Sequence, residues 1–213
     1  MDASFLQNVI VWAVPVLVAV ILHEISHGWV AYLLGDPTAR DAGRLTLNPI
    51  PHIDPFGTIV LPLILMLGNA PFLFGYARPV PVNFGRLRHP KRDMVFVAAA
   101  GPLTNLILAA LFAWVVRHWV DIDPGLPIRE QPLLTQIAIR GVFMNVGLAI
   151  FNLLPVPPLD GGRVLTGLLP LRLAVPFAGI ERYGMLIVIL LLATDVADRI
   201  MTPLVRGLLQ ILL

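Results

Sequence analysis

Residues 5–34 form a run long and apolar enough to cross a bilayer, yet His23-Glu24-Ile25-Ser26-His27 stands inside it. A spanning helix needs about 20 apolar residues, and ionisable groups within one are costly and mostly functional. On a helix, positions four apart share a face one turn apart, so His23 and His27 can offer imidazole nitrogens to a single metal ion. Glu24 then lies beside that ion. A carboxylate there can take a proton from a water activated by the metal and pass it to a leaving amine. No Lys or Arg lies within the run to pair with the glutamate. The pattern points to metal-assisted hydrolysis inside a membrane. The blander reading, two helix-packing histidines and a stray carboxylate, leaves the spacing unexplained.

Composition agrees with the first reading. The chain of 213 residues is 57% hydrophobic and 13% charged, with a mean hydropathy of +0.83. A soluble domain carries about 25% charged residues, so a polytopic membrane protein is expected, with the lipid bilayer as its surroundings. The net charge of +2 comes mainly from local Arg clusters, which read as topology signals and not as a nucleic-acid surface. The absence of Cys excludes thiolate ligands, a cysteine nucleophile and disulfides. Ser4 at the terminus and Ser26 inside the pentad are the only serines, which argues against a serine protease. With no basic n-region or small-residue cleavage site before it, the first apolar run is expected to be retained.

Four segments read as spans: 5–34, 94–116, 133–154 and 183–213, the last interrupted by Asp195, Asp198 and Arg199 and so either a full or a partial crossing. Residues 56–68, with Pro62 inside, are too short to cross and suggest a re-entrant or hairpin element; 164–180 are broken by Pro170, Arg172 and Pro176. The expected fold is therefore an all-α membrane protein. It is a polytopic helical bundle of about 4–6 membrane segments, with a short re-entrant or β-like element between the first and second core helices. One domain is expected over 1–213. The loop 75–93 holds Arg78, Arg86, Arg88, Lys91 and Arg92 against one acid, which makes it cytoplasmic by the positive-inside rule. Spans 94–116 and 133–154 then lead out and back, placing Asp160 on the cytoplasmic side. For the pentad to face Asp160, residues 56–74 must leave and return on the same face.

Two histidines do not complete a catalytic zinc site, which takes a third protein ligand and keeps one position open. Glu181 is one candidate. Asp160 is the stronger, standing in FNLLPVPPLDGGRV before Gly161 and Gly162, which permit close backbone approach.

HEISHG at 23–28, AAGPLTN at 99–105 and FNLLPVPPLDGGRV at 151–164 together resemble the site-2 protease family of intramembrane zinc metallopeptidases. NPIPHIDPFG (48–57) and GYARPVPVN (75–83) resemble a small prokaryotic branch of it. The resemblance implies that His23, His27 and Asp160 bind Zn2+, and that Glu24 is general base and acid. It also implies that Asn152 helps bind the substrate peptide or the oxyanion. The implied activity is cleavage of a membrane-spanning segment of a protein substrate, in a prokaryotic plasma membrane, with the site toward the cytoplasm. Relatives often carry a PDZ or CBS domain, and neither fits in 213 residues of this composition.

Asn152 and Asn105 could each donate a hydrogen bond to a tetrahedral intermediate, or else bond between helices. Asn145 is assigned to packing. Residues 79–83, extended by prolines, suit an edge to which an unwound substrate adds as a strand, or a plain stiffened loop. Gly101-Pro102 marks a kink, a lateral path or tight packing. His52 and Asp54 have no fixed geometry for a metal, and His89 and His118 sit at predicted membrane boundaries. Arg163 either orients Asp160 or reaches the headgroups. Two rival readings are a catalytically inactive homologue that binds metal or membrane helices, and an aspartyl protease using Asp160 with Asp195 or Asp198. Neither accounts for Glu24 within the pentad.

Overall fold

The computed structural model describes residues 3–68 and 75–213. Among these residues, four segments are long and apolar enough to cross a membrane: Gln7–Leu33, Pro90–His118, Leu133–Leu153 and Leu171–Ala193. The first lies in helix α1 (Ala3–Leu33), the second is α4 (Pro90–His118) and the third α5 (Leu133–Leu153). These three pack on one another to form the centre of the bundle. Small residues let them approach. Ala109 and Ala113 of α4 meet Ala138, Val142 and Val146 of α5, and a Cβ at Gly141 would strike the Phe112 ring. Large apolar side chains such as Leu103, Ile107, Leu111 and Phe143 remain on the outside, which suits contact with lipid tails.

The fourth span departs from the sequence expectation. The apolar run 183–213 is not one helix: α8 (Gly184–Ala193) ends at Thr194, and α9 (Val196–Leu212) begins after Asp195. The spanning length comes instead from joining α7 (Leu171–Ala178) through a 3-10 turn, Gly179–Tyr183, to α8. Polar Thr194, Asp195, Asp198 and Arg199 break the run, and α9 lays Met201, Val205, Leu208 and Leu212 against the α4–α5 core. Pro170 separates α7 from α6 (Asp160–Leu168), which explains why 164–180 reads as broken.

Between α1 and α4 the chain forms the short helix α2 (Thr38–Asp41). A π-helical turn, Pro55–Val60, then leads into α3 (Leu61–Leu67), a piece too short to span. The Tyr76 N–H donates to Gly57 O at 3.0 Å, so the chain is back beside Gly57 when it re-emerges. The β-like part of the expected element is an extended segment, 75–83, and no strand pairs with it among the described residues. Pro79 and Pro81 lack the N–H groups that a ladder needs.

Candidate metal centre

His23 and His27 stand a turn apart on α1 with their rings edge to face, centroids 4.6 Å apart. Each ring is held from behind by α4. His23 Nδ1 lies 2.6 Å from Asn105 Oδ1, and His27 Nδ1 lies 2.7 Å from the Val97 carbonyl. A carbonyl oxygen only accepts, so the Val97 contact requires the proton on His27 Nδ1. The same logic fixes His23. The Asn105 amide nitrogen donates to Ala19 O at 3.2 Å and to Asn145 Oδ1 at 2.9 Å, which orients its oxygen toward the imidazole. Both Nε2 atoms therefore present lone pairs to the same point.

Asp160 opens α6 and brings a carboxylate to that point. Its Oδ2 lies 3.1 Å from His23 Nε2 and 3.3 Å from His27 Nε2, and the two Nε2 atoms are 3.0 Å apart. With both imidazole protons on Nδ1, these three electron-rich atoms face one another with no hydrogen between them. Asp160 Oδ2 is buried without a hydrogen-bond partner. A cation resolves this. Zinc with bonds of about 2.0–2.1 Å in tetrahedral geometry sets neighbouring ligand atoms about 3.3–3.4 Å apart, close to the observed edges. Among the described residues, His23, His27 and Asp160 are the group able to hold a metal, and their chemistry suits Zn2+.

Glycine makes the convergence possible. A Cβ at Gly101 would lie 2.5 Å from His23 Cε1 and 2.6 Å from its Nε2, and closer still to His27 Nε2. At Gly161 and Gly162 it would collide with the backbone of Leu153–Leu154 and of Val156–Pro157. The pair thus lets α6 turn back under the end of α5.

Glu24 is half-buried beside the centre, and its Oε2 accepts from the Val80 N–H at 2.8 Å. Glu24, His23 and Asn152 line one cavity of about 210 Å³, together with Tyr76, Ala77 and Leu148. Asn152 donates to Leu148 O at 3.0 Å from within that wall. Asn105 lies elsewhere. It is fully buried, and its oxygen and amide are taken up by His23, Ala19 and Asn145.

Other candidates fall outside the centre. His52 points Nε2 at Thr46 O, 2.9 Å away, and Asp54 caps the π-helical turn by accepting from the Gly57 N–H at 2.6 Å. Arg163 pairs with Glu181 at 3.0 Å and makes no bond to Asp160 among the described residues, and Glu181 is engaged away from the imidazoles. His118 stacks on Trp114, and His89 precedes α4 with its N–H donated to Asp93 Oδ2. Ser26 Oγ donates to the His23 carbonyl of its own helix. Among the described residues Asp160 faces two imidazoles and no second carboxylate, the wrong surroundings for an aspartyl dyad.

Three partners escape the sequence reading: the Val97 carbonyl, the Val80 N–H, and Asn145 as the partner of Asn105; tight packing at Gly101 is among the sequence alternatives, though not against both rings. Backbone groups leave no side-chain signature. Asn145 carried a signal, since it is a polar residue in a spanning helix like Asn105.

Fold and site together define a multi-pass helical membrane protein with the centre of a zinc metallopeptidase. The model of peptidase family M50 matches residues 128–194. A relative from Bacillus subtilis named "Putative zinc metalloprotease YwhC" is 39% identical over 196 residues, covering 91% of this chain and 85% of the relative. "Putative zinc metalloprotease Rip2" of Mycolicibacterium smegmatis is 34% identical, covering 86% of this chain and 66% of that protein. "Zinc metalloprotease MJ0392" of Methanocaldococcus jannaschii is 27% identical, covering 78% and 37%. No solved structure matches. The chain belongs to peptidase family M50 and is a zinc metalloprotease.

Proposed function

We propose that this protein is an intramembrane endopeptidase that cleaves a peptide bond within a membrane-spanning segment of a protein substrate. His23, His27 and Asp160 hold the zinc. The observation that carries the reading is the triangle of His23 Nε2, His27 Nε2 and Asp160 Oδ2, built on a spanning helix with Glu24 beside it. Bound there, zinc lowers the pKa of a water and polarises a carbonyl. Glu24 does the proton work. The Val80 N–H fixes its Oε2, which leaves Oε1 to take the water's proton as hydroxide attacks and to return it to the departing nitrogen. Asn152 contributes an amide N–H from the cavity wall toward the developing oxyanion. Asn105 holds His23 in the tautomer and orientation that the metal requires, a positioning role.

The extended segment presents the substrate. Its alternate residues Tyr76, Arg78 and Val80 turn their N–H groups inward, to Gly57 O, His52 O and Glu24. Ala77 lies between them and lines the cavity, and its N–H and C=O carry no hydrogen bond among the described residues. An unwound peptide lying along that edge would have its backbone held beside Glu24. The basic loop that follows favours the cytoplasmic side of a prokaryotic plasma membrane for this end of the bundle.

Glu24→Gln tests the reading. It should abolish cleavage of a reconstituted transmembrane substrate and leave about one zinc per chain by elemental analysis, whereas Asp160→Ala loses the metal. Undiminished cleavage by Glu24→Gln would refute the assignment; a wild type that takes up no zinc would favour an inactive helix-binding homologue.

A further inference from the structure

A second cavity, about 480 Å³, adjoins the first and is walled by Val16 and Val20 of α1 and by Met144, Leu148 and Phe151 of α5. Helical spacing extends both walls beyond it. Residues 140, 144, 148 and 151 share one face of α5, and 12, 16, 20 and 23 share one face of α1. The next side chains outward, Arg140 and Trp12, meet across the furrow, with the guanidinium 4.6 Å from the indole centroid. The α1–α5 furrow thus runs from Arg140 at one end to Glu24 and Asn152 at the other. Arg140 and Asn152 stand about 18 Å apart along α5, at 1.5 Å per residue.

Arg140 is short of partners. A guanidinium carries five N–H donors. One reaches Gln136 Oε1 at 3.4 Å, and among the described residues no carboxylate lies within ion-pair distance. Gln136 can offer it the one side-chain oxygen, since its amide nitrogen is itself a donor and goes to the Arg129 and Gln131 carbonyls. A cation placed well inside a spanning helix, with so little compensation, calls for an anion.

We propose that Arg140 is a specificity residue that reads an acidic side chain on the substrate helix lying in the α1–α5 furrow. This rests on the endopeptidase reading above and names its substrate class: membrane segments with an apolar stretch and one carboxylate set back from the scissile bond. The apolar face packs on Val16, Val20, Met144 and Leu148, and the carboxylate meets the guanidinium in a charge-assisted hydrogen bond, strong at low dielectric. The 18 Å span corresponds to about 12 residues of helix or about 5–6 of extended chain, which brackets the acid's distance from the cleaved bond. Arg140 stands seven residues, about 10 Å, along α5 from Leu133, at the depth of acyl chains and not of headgroups, which favours a substrate side chain over a lipid phosphate.

Binding to the Glu24→Gln protein, reconstituted in phosphatidylcholine nanodiscs, tests this without turnover. Fluorescent Leu/Ala transmembrane peptides carry a single Glu or Gln, scanned through that range. At one or two neighbouring positions the Glu peptide should bind about tenfold tighter than its Gln twin. Arg140→Gln should level the pair, and Arg140→Glu should prefer a Lys peptide at the same position. Equal affinities at every position for the protein retaining Arg140 would overturn the proposal. So would an Arg140 effect that follows the fraction of phosphatidylglycerol and ignores the peptide. Failure of the protease reading appears separately, as wild-type protein that cuts none of the peptides whatever their affinity.

Discussion

At the residue scale, the proposed metal centre rests on side chains outside its three ligands. Asn105 is the acceptor that keeps the proton on His23 Nδ1, and nothing else in the site replaces it. Removing such an outer partner typically costs 10–100-fold in metal affinity. Asn105→Ala should therefore weaken zinc binding by about that factor in a competition with a chelator of known affinity, while Asn105→Asp, which keeps an acceptor, should recover part of it. Gly101 constrains the centre by volume. Its Cβ would lie within 2.6 Å of His23 Nε2, so Gly101→Ala must displace both imidazoles from their present positions. Zinc affinity should fall at least tenfold. Gly147→Ala, where a Cβ meets nothing within 4 Å, should leave it unchanged.

At the scale of elements, the extended segment 75–83 is held by polar anchors that its own sequence does not announce. Asp36, fully buried just past α1, accepts from the Asn83 N–H at 2.6 Å and from the backbone and hydroxyl of Thr38. Arg44 donates to the Arg78 carbonyl at 2.8 Å. Asp36→Ala strands the Asn83 N–H and removes the hold on the segment's far end. The expected result is a loss of about 1–3 kcal/mol in stability. The KM for a peptide substrate should rise several-fold and zinc content should not change, with Asp36→Asn in between. Here the limit of sequence reading is visible. The HEISH pentad and Asp160 are legible because metal chemistry demands particular side chains at particular spacings. The extended course of 79–83 is legible because proline fixes φ. Which carboxylate anchors that segment is not, since Asp36 and Asn83 belong to separate loops and only the packed bundle brings them together.

At the scale of the whole molecule, three spans follow from hydropathy, and the fourth does not. Leu171–Ala193 is interrupted by Glu181 and Arg182, while the more continuous run after Tyr183 is cut by Asp195 and folds back on α5. Continuity of apolar residues cannot show where a chain reverses. The consequence for stability is that α6, which supplies Asp160, meets α1 at the metal centre, while its packing is mainly against α4. Zinc held by the proposed ligands would join the first helix of the bundle to the turn after the third span, and its binding energy would become folding energy. With free zinc at 100 times its Kd the gain is about 2.7 kcal/mol, provided that the unfolded chain does not bind it. Chelation of purified protein should lower the midpoint of thermal unfolding in detergent by several degrees, and added zinc should restore it. Asp160→Ala should start from the lower midpoint and respond to neither treatment. Glu24→Gln should respond like the wild type, because it alters the proton carrier and keeps all three ligands. A chelator response preserved in Asp160→Ala would mean that the stabilising metal sits elsewhere.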